Sequence, residues 1–156
     1  MGTPLSRYLT VEKFTKSETA ARLGISNAIA PEHRANAEMT ATYFDLICDN
    51  LDKMLDFNSG YRSKIVNEAV PGSSKTSYHC KGLAMDIDDD ASAPHEQISD
   101  YDLAVAISNM KNVPYDKIVL EYGWVHVQFA EKGVKPRREL WTIKSKGVKA
   151  LPGLVR

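Results

Sequence analysis

An imidazole and a carboxylate stand seven residues apart in the stretch SYHCKGLAMD, residues 77–86, close enough for one metal ion to meet both. Residues 71–77 are Pro, Gly, Ser, Lys and Thr, the composition of a loop, whereas residues 83–88 alternate apolar and acidic side chains as a strand does. His79 therefore leaves a loop and Asp86 lies on a strand. Gly82 between them permits a sharp turn or a close backbone approach. Zinc in enzymes usually takes three protein ligands, so a third is needed. The best candidate is His126, in the β-rich run EYGWVHVQF at 121–129. Two imidazoles and a carboxylate suit zinc, and the donor set alone leaves manganese, cobalt and iron open.

Three separated motifs carry a family likeness. Ser77-x-His79-x-x-Gly82-x-Ala84-x-Asp86 is preceded by Ser59-Gly60-Tyr61-Arg62-Ser63 and followed by Trp124-x-His126. In that order they closely resemble the zinc D-alanyl-D-alanine carboxypeptidase (peptidase M15-like) family. That family takes in phage peptidoglycan endopeptidases and shares its fold with the hedgehog signalling domain. The resemblance spans about residues 9–143. It implies His79, Asp86 and His126 as zinc ligands and Arg62 as the group that holds a substrate carboxylate. A planar guanidinium grips a carboxylate with two parallel hydrogen bonds, which a lysine does not reproduce.

A metal held by these ligands would acidify a water molecule for attack on a peptide carbonyl, which leaves a proton carrier to be found. Glu121 is the candidate. Some members of the family place the catalytic glutamate three residues before the last histidine, where this chain has Gly123; others place it further back. Glu121 lies five residues before His126, and in one unbroken strand an odd offset points two side chains to opposite faces. A bulge or tight turn at Gly123 would change the parity and bring Glu121 to the metal; without a break, Glu121 is structural and the proton carrier is unassigned.

Around these groups, Trp124 can wall a substrate groove or pack in the core. Ser77 and Tyr78 are near enough in sequence to touch substrate. Asp88 shares the strand face of Asp86 and could orient a ligating histidine or cap the acidic loop that follows. His33 and His95 lie in surroundings typical of surface residues. Cys48 falls in a helical pattern as a small core residue, and Cys80 is a free thiol beside the proposed site.

These side chains need a scaffold. With 156 residues and 20 basic against 20 acidic side chains, the chain is expected to form one domain, 1–156, with no global field to attract nucleic acid. Residues 86–102 are acidic in all their formal charges and 132–156 mostly basic, each expected to be a solvated face. No apolar run is long enough to insert in a membrane, and the N-terminus lacks the pattern of a secretory signal. Synthesis in the cytoplasm is expected.

Residues 15–24 read as a short helix with a polar cap and a closing glycine. After a break at 27–31, Met39, Tyr43, Ile47, Leu51 and Met54 outline the buried stripe of a longer helix, widened by Phe44 and Leu55. A strand at 56–61, a brief helix at 64–69, a helix at 98–110 and strands at 117–122, 124–129 and 139–143 complete the pattern. Parallel pairing among the last three would need long crossovers, so they are expected to be antiparallel. The tail from about 145 is expected to be loosely held. The fold class is α+β, a small, largely antiparallel sheet backed by helices, hedgehog/DD-peptidase-like by the resemblance.

The resemblance implies a zinc-dependent peptidase acting on peptidoglycan stem peptides or cross-bridges, as an endopeptidase or D,D-carboxypeptidase. Its compact, phage-type members point to an endolysin or tail component that acts at the bacterial cell wall, here as a monomer. Two alternatives stand beside it: a non-catalytic zinc-binding protein of the same fold, and a D-Ala-D-Ala dipeptidase.

Overall fold

Hydroxyl caps at Thr10 and Ser17, Gly24 and Pro31 set several helix boundaries in the N-terminal third. The computed structural model describes residues 2–156, so only the first residue of the expected domain lies outside it. Val11–Phe14 forms a single turn, α1, capped by the Thr10 hydroxyl. Glu18–Leu23 forms α2, with the Ser17 hydroxyl accepting from the Ala20 amide and Gly24 closing the helix in the left-handed region. A 3₁₀ turn at Pro31–His33 leads into α3, Arg34–Leu51.

The buried face of α3 differs from the expected stripe. Ala37, Thr40, Ala41, Phe44, Asp45, Ile47 and Cys48 are inside, while Met39, Tyr43 and Leu51 flank them. Met54 lies beyond the helix, which ends at a left-handed Asp52, and is exposed. Small residues explain the rotation. Ala37 sits where another backbone approaches closely, and a pattern read from large apolar residues gives it no weight. Asp45 is buried because its carboxylate accepts from the Arg7 amide at 2.9 Å and the Ser6 hydroxyl at 3.0 Å, tying the N-terminal segment to the helix. Phe44 meets Phe57 edge-on at 5.3 Å, and Phe57 stacks on Phe14. Burying each such ring contributes roughly 1.5–3 kcal/mol.

The remaining elements are β1 (Asp56–Ser59), α4 (Lys64–Ala69), a 3₁₀ turn (Tyr78–Lys81), β2 (Ala84–Asp88), α5 (Asp100–Ser108), β3 (Tyr115–Leu120), β4 (Val125–Phe129), β5 (Glu139–Thr142) and β6 (Leu151–Pro152). The protein is α+β; among the described residues six strands form one sheet in the order β1-β2-β4-β3-β5-β6. β3 and β4 pair antiparallel, as expected, but β3 and β5 pair parallel. No helical crossover is required, because β4 itself and the 130–138 loop carry the chain back past β3. The expectation of purely antiparallel late strands overlooked that β5 need not sit beside β4.

The tail differs from expectation as well. β6 pairs with β5, the Thr142 hydroxyl donates to Gly153 O at 2.8 Å and accepts from the Val155 amide at 2.9 Å, and Arg156 lies over the Tyr101 ring. Among the described residues no helix is long and apolar enough to cross a membrane.

Alternation along the strands gives the sheet two unlike faces. Met85, Ile87, Ile118, Leu120, Val125 and Val127 join the core with residues of α3 and α5. The opposite face carries Ser59, Asp86 and His126, which the register sets side by side on β1, β2 and β4.

Candidate metal centre

His79 arrives on the 3₁₀ turn that ends the 71–77 loop. The Ser77 hydroxyl caps this turn, accepting from the His79 amide at 3.2 Å. Gly82 closes the turn with φ of +74°, and a Cβ there would lie 3.2 Å from Ala37 N and His33 O. It serves both purposes expected of it, the left-handed turn and the close approach. Thr40 of α3 then fixes the Gly82 carbonyl with a 2.7 Å hydrogen bond.

Buried His79 donates from Nδ1 to the Gly60 carbonyl at 2.7 Å, which leaves Nε2 directed at Asp86 Oδ2, 3.4 Å away. Across the β2–β4 register, Asp86 Oδ1 lies 3.1 Å from His126 Nδ1. Ligand atoms of His79, Asp86 and His126 all lie within 4.8 Å of one another, and the two rings are 5.2 Å apart. The two expected imidazoles and the carboxylate therefore do converge.

The electrostatics suit a cation. Burial alone would raise the Asp86 carboxyl, but the charge of His79 and hydrogen bonds from both imidazoles hold it well below the usual carboxylate range. Burial opposes protonation of His126, yet the hydrogen bond and charge of Asp86 raise its pKa above the ordinary histidine value. An ionised carboxylate with an imidazole nitrogen against each oxygen is a donor set that a divalent ion would neutralise, and the N/N/O chemistry fits zinc.

Glu121 does not share an unbroken strand with His126. The Glu121 amide donates to Trp124 O at 3.0 Å, and Tyr122 and Gly123 form a two-residue turn between β3 and β4 with Gly123 at φ +134°. In this hairpin Val119 is opposite His126 and Leu120 is opposite Val125, so Glu121 continues opposite Trp124. Residues paired across a ladder share a face, hence Glu121, Trp124 and His126 lie on one side. Of the two possibilities for Gly123, the structure has the break. Burial raises the Glu121 carboxyl above the ordinary glutamate value, with His126 pulling it down and Asp86 pushing it up. Trp124 Nε1 donates to Glu121 Oε2 at 3.0 Å and orients it.

Arg62 donates its backbone amide to His79 O at 3.1 Å, while its half-buried guanidinium makes no hydrogen bond or ion pair among the described residues. It lines a groove of about 510 Å³ together with Lys16, Asn58, Ser59, Tyr61 and Trp124. Trp124 thus walls the groove rather than packing in the core.

Asp88 touches neither histidine. It accepts from Asn58 Nδ2 at 2.6 Å and from the Asp90 amide at 3.0 Å, so it caps the acidic loop. His33 lies against the Tyr61 ring and His95 is exposed on its loop. Cys48 is buried, and Cys80 is a free, half-buried thiol. Two residues without a motif also belong to the centre: Gln128 accepts at Oε1 from His126 Nε2 at 2.9 Å, and Asp116 accepts from Gln128 Nε2. The only sequence signal for Gln128 was its even spacing from His126 on one strand face.

Compared with known families, residues 7–128 match a family model described as Peptidase M15. The chain belongs to the Peptidase M15 family. No curated protein matches it. The matched span of this M15 member includes all three cluster residues, Arg62 and Glu121, and ends at Gln128.

Proposed function

We propose that this M15 member is a zinc-dependent hydrolase of peptidoglycan peptides, of the compact phage-type kind, delivered to the bacterial cell wall as an endolysin or tail component and acting as a monomer. The observation that carries the proposal is the convergence of His79 Nε2, Asp86 and His126 Nδ1 on the sheet face that also holds Glu121. His79, Asp86 and His126 would hold the ion. When bound, it supplies a Lewis acid for the scissile carbonyl and acidifies a water molecule.

The protein's own groups supply the rest. Glu121, buried and raised in pKa, is suited to take a proton from the attacking water and return it to the leaving amine. Trp124 holds that carboxylate in place and walls the groove. Arg62, a half-buried cation with no ion pair among the described residues, is placed to bind a carboxylate of the substrate. D-amino-acid stem peptides and cross-bridges offer one close to the scissile bond, as does free D-Ala-D-Ala. Glu121 on the metal face favours turnover over a purely structural zinc site.

The test is incubation of the purified protein with sacculi of several wall chemotypes, with and without a chelator, following new amino and carboxyl termini by mass spectrometry. Release that is abolished by the chelator, restored by zinc and lost in Glu121→Gln with zinc content retained is expected. Absence of chelator-sensitive release from every chemotype refutes the proposal, and release of D-alanine from the free dipeptide alone would reassign the substrate.

A further inference from the structure

The β3–β4 ladder changes register between Tyr115 and Lys117, so that Asp116 and Lys117 together face Gln128. Such a bulge redirects one side chain, and here it brings the Asp116 carboxylate, 2% exposed, onto the amide of Gln128, 3% exposed. Gln128 Nε2 donates to Asp116 Oδ2 at 3.0 Å. Asp116 is held as well by Arg137, whose Nη2 donates to the same Oδ2 at 2.7 Å and whose backbone amide donates to Oδ1 at 2.9 Å. An ionised carboxylate only accepts hydrogen bonds, so it must face the NH2 end of the Gln128 amide. The carbonyl end is then directed at His126, with Oε1 2.9 Å from Nε2. Oε1 also only accepts, so His126 Nε2 must carry a proton. A neutral imidazole protonated at Nε2 has its lone pair at Nδ1, the nitrogen that faces Asp86.

We propose that Gln128 and Asp116 are positioning residues that keep His126 protonated at Nε2 and so reserve Nδ1 for the metal. The proposal rests on the metal-centre reading above. Neither residue touches substrate or metal. Arg137 holds Asp116, Asp116 sets the sense of the amide, and the amide sets the ring. Outer partners of this kind typically change metal affinity by about 10–100-fold.

The experiment measures zinc dissociation constants by chelator competition, and the ligating nitrogen of His126 by long-range 15N–1H correlation in zinc-loaded protein. Gln128→Leu and Asp116→Asn are each expected to weaken zinc by about 10–100-fold, because the first removes the acceptor and the second lets the amide reverse. The exchange variant Asp116→Asn/Gln128→Glu restores an acceptor toward His126 and a donor behind it. It is expected to bind zinc at least as tightly as the parent, with Nδ1 ligation retained. An exchange variant as weak as Asp116→Asn, or single variants with unchanged affinity and ligating nitrogen, overturns the proposal. The exchange variant keeps the test decisive if Gln128→Leu does not fold. Wild-type protein that binds no zinc would instead refute the metal centre itself, a separate and recognisable outcome.

Discussion

Zinc should stabilise this protein strongly near neutral pH and progressively less in acid. A ligand at one hundred times its dissociation constant stabilises the folded state by about 2.7 kcal/mol. For a chain of this size each kcal/mol moves the melting temperature by about 2–4 °C, so zinc should raise it by roughly 5–11 °C. The pH dependence follows from His126, whose two ring nitrogens face Asp86 and Gln128. Its pKa is raised in the folded metal-free protein, so it contributes stability that is fully present below the unfolded value of 6.5 and lost as pH rises through the folded value. Zinc held at Nδ1 would displace the proton that this nitrogen carries in the doubly protonated ring. Below the folded pKa the advantage of zinc therefore shrinks by about 1.4 kcal/mol per pH unit at fixed free zinc. That corresponds to about 3–6 °C per unit. Differential scanning calorimetry with and without buffered zinc, from pH 8 to pH 5.5, measures it. A zinc effect that is flat over this range, or that survives in His126→Ala, would refute the three-ligand centre.

Three further outcomes are expected. Gly123→Ala forces a side chain into φ +134°, a strain of about 1–3 kcal/mol at the turn that places Glu121. Turnover should fall by about tenfold or more while zinc affinity, measured by chelator competition, changes little, since His126 lies on the strand beyond the turn. Burial and the Asp90 and Asp88 carboxylates push Asp100 up to about 6, a raised acid pKa that costs stability above the unfolded value near 3.8. Asp100→Asn should therefore raise the melting temperature at pH 7.5 and lose that advantage at pH 4. Phe44→Ala, emptying a site 1% exposed between α3 and Phe57, should cost about 3–5 kcal/mol in urea denaturation.

Local chemistry made much of this protein legible in its sequence. Ser17 and Gly24 bound α2, the alternation from Ala84 to Asp88 is a strand, and the spacing of His79, Gly82 and Asp86 describes a turn feeding that strand. Each depends on neighbours a few residues away, so each is written in the order of the residues. The partnership of His126 with Asp86 was legible only through its motif, because strand register is a contact between distant segments.

Tertiary structure alone decided the rest. It rotated the buried face of α3 toward Ala37 and Ala41, since a close backbone approach rewards small side chains that a hydrophobic stripe does not count. It laid β5 parallel to β3 and pinned the tail through β6, because which strands become neighbours depends on the whole sheet. It also brought Asp116 to Gln128 through a bulge of one residue, which no alternating pattern records. The side chains able to bind a metal could be named from their types and from the motifs that carry the family resemblance. Which nitrogen of His126 faces it depends on hydrogen bonds between strands, and those exist only once the sheet has formed.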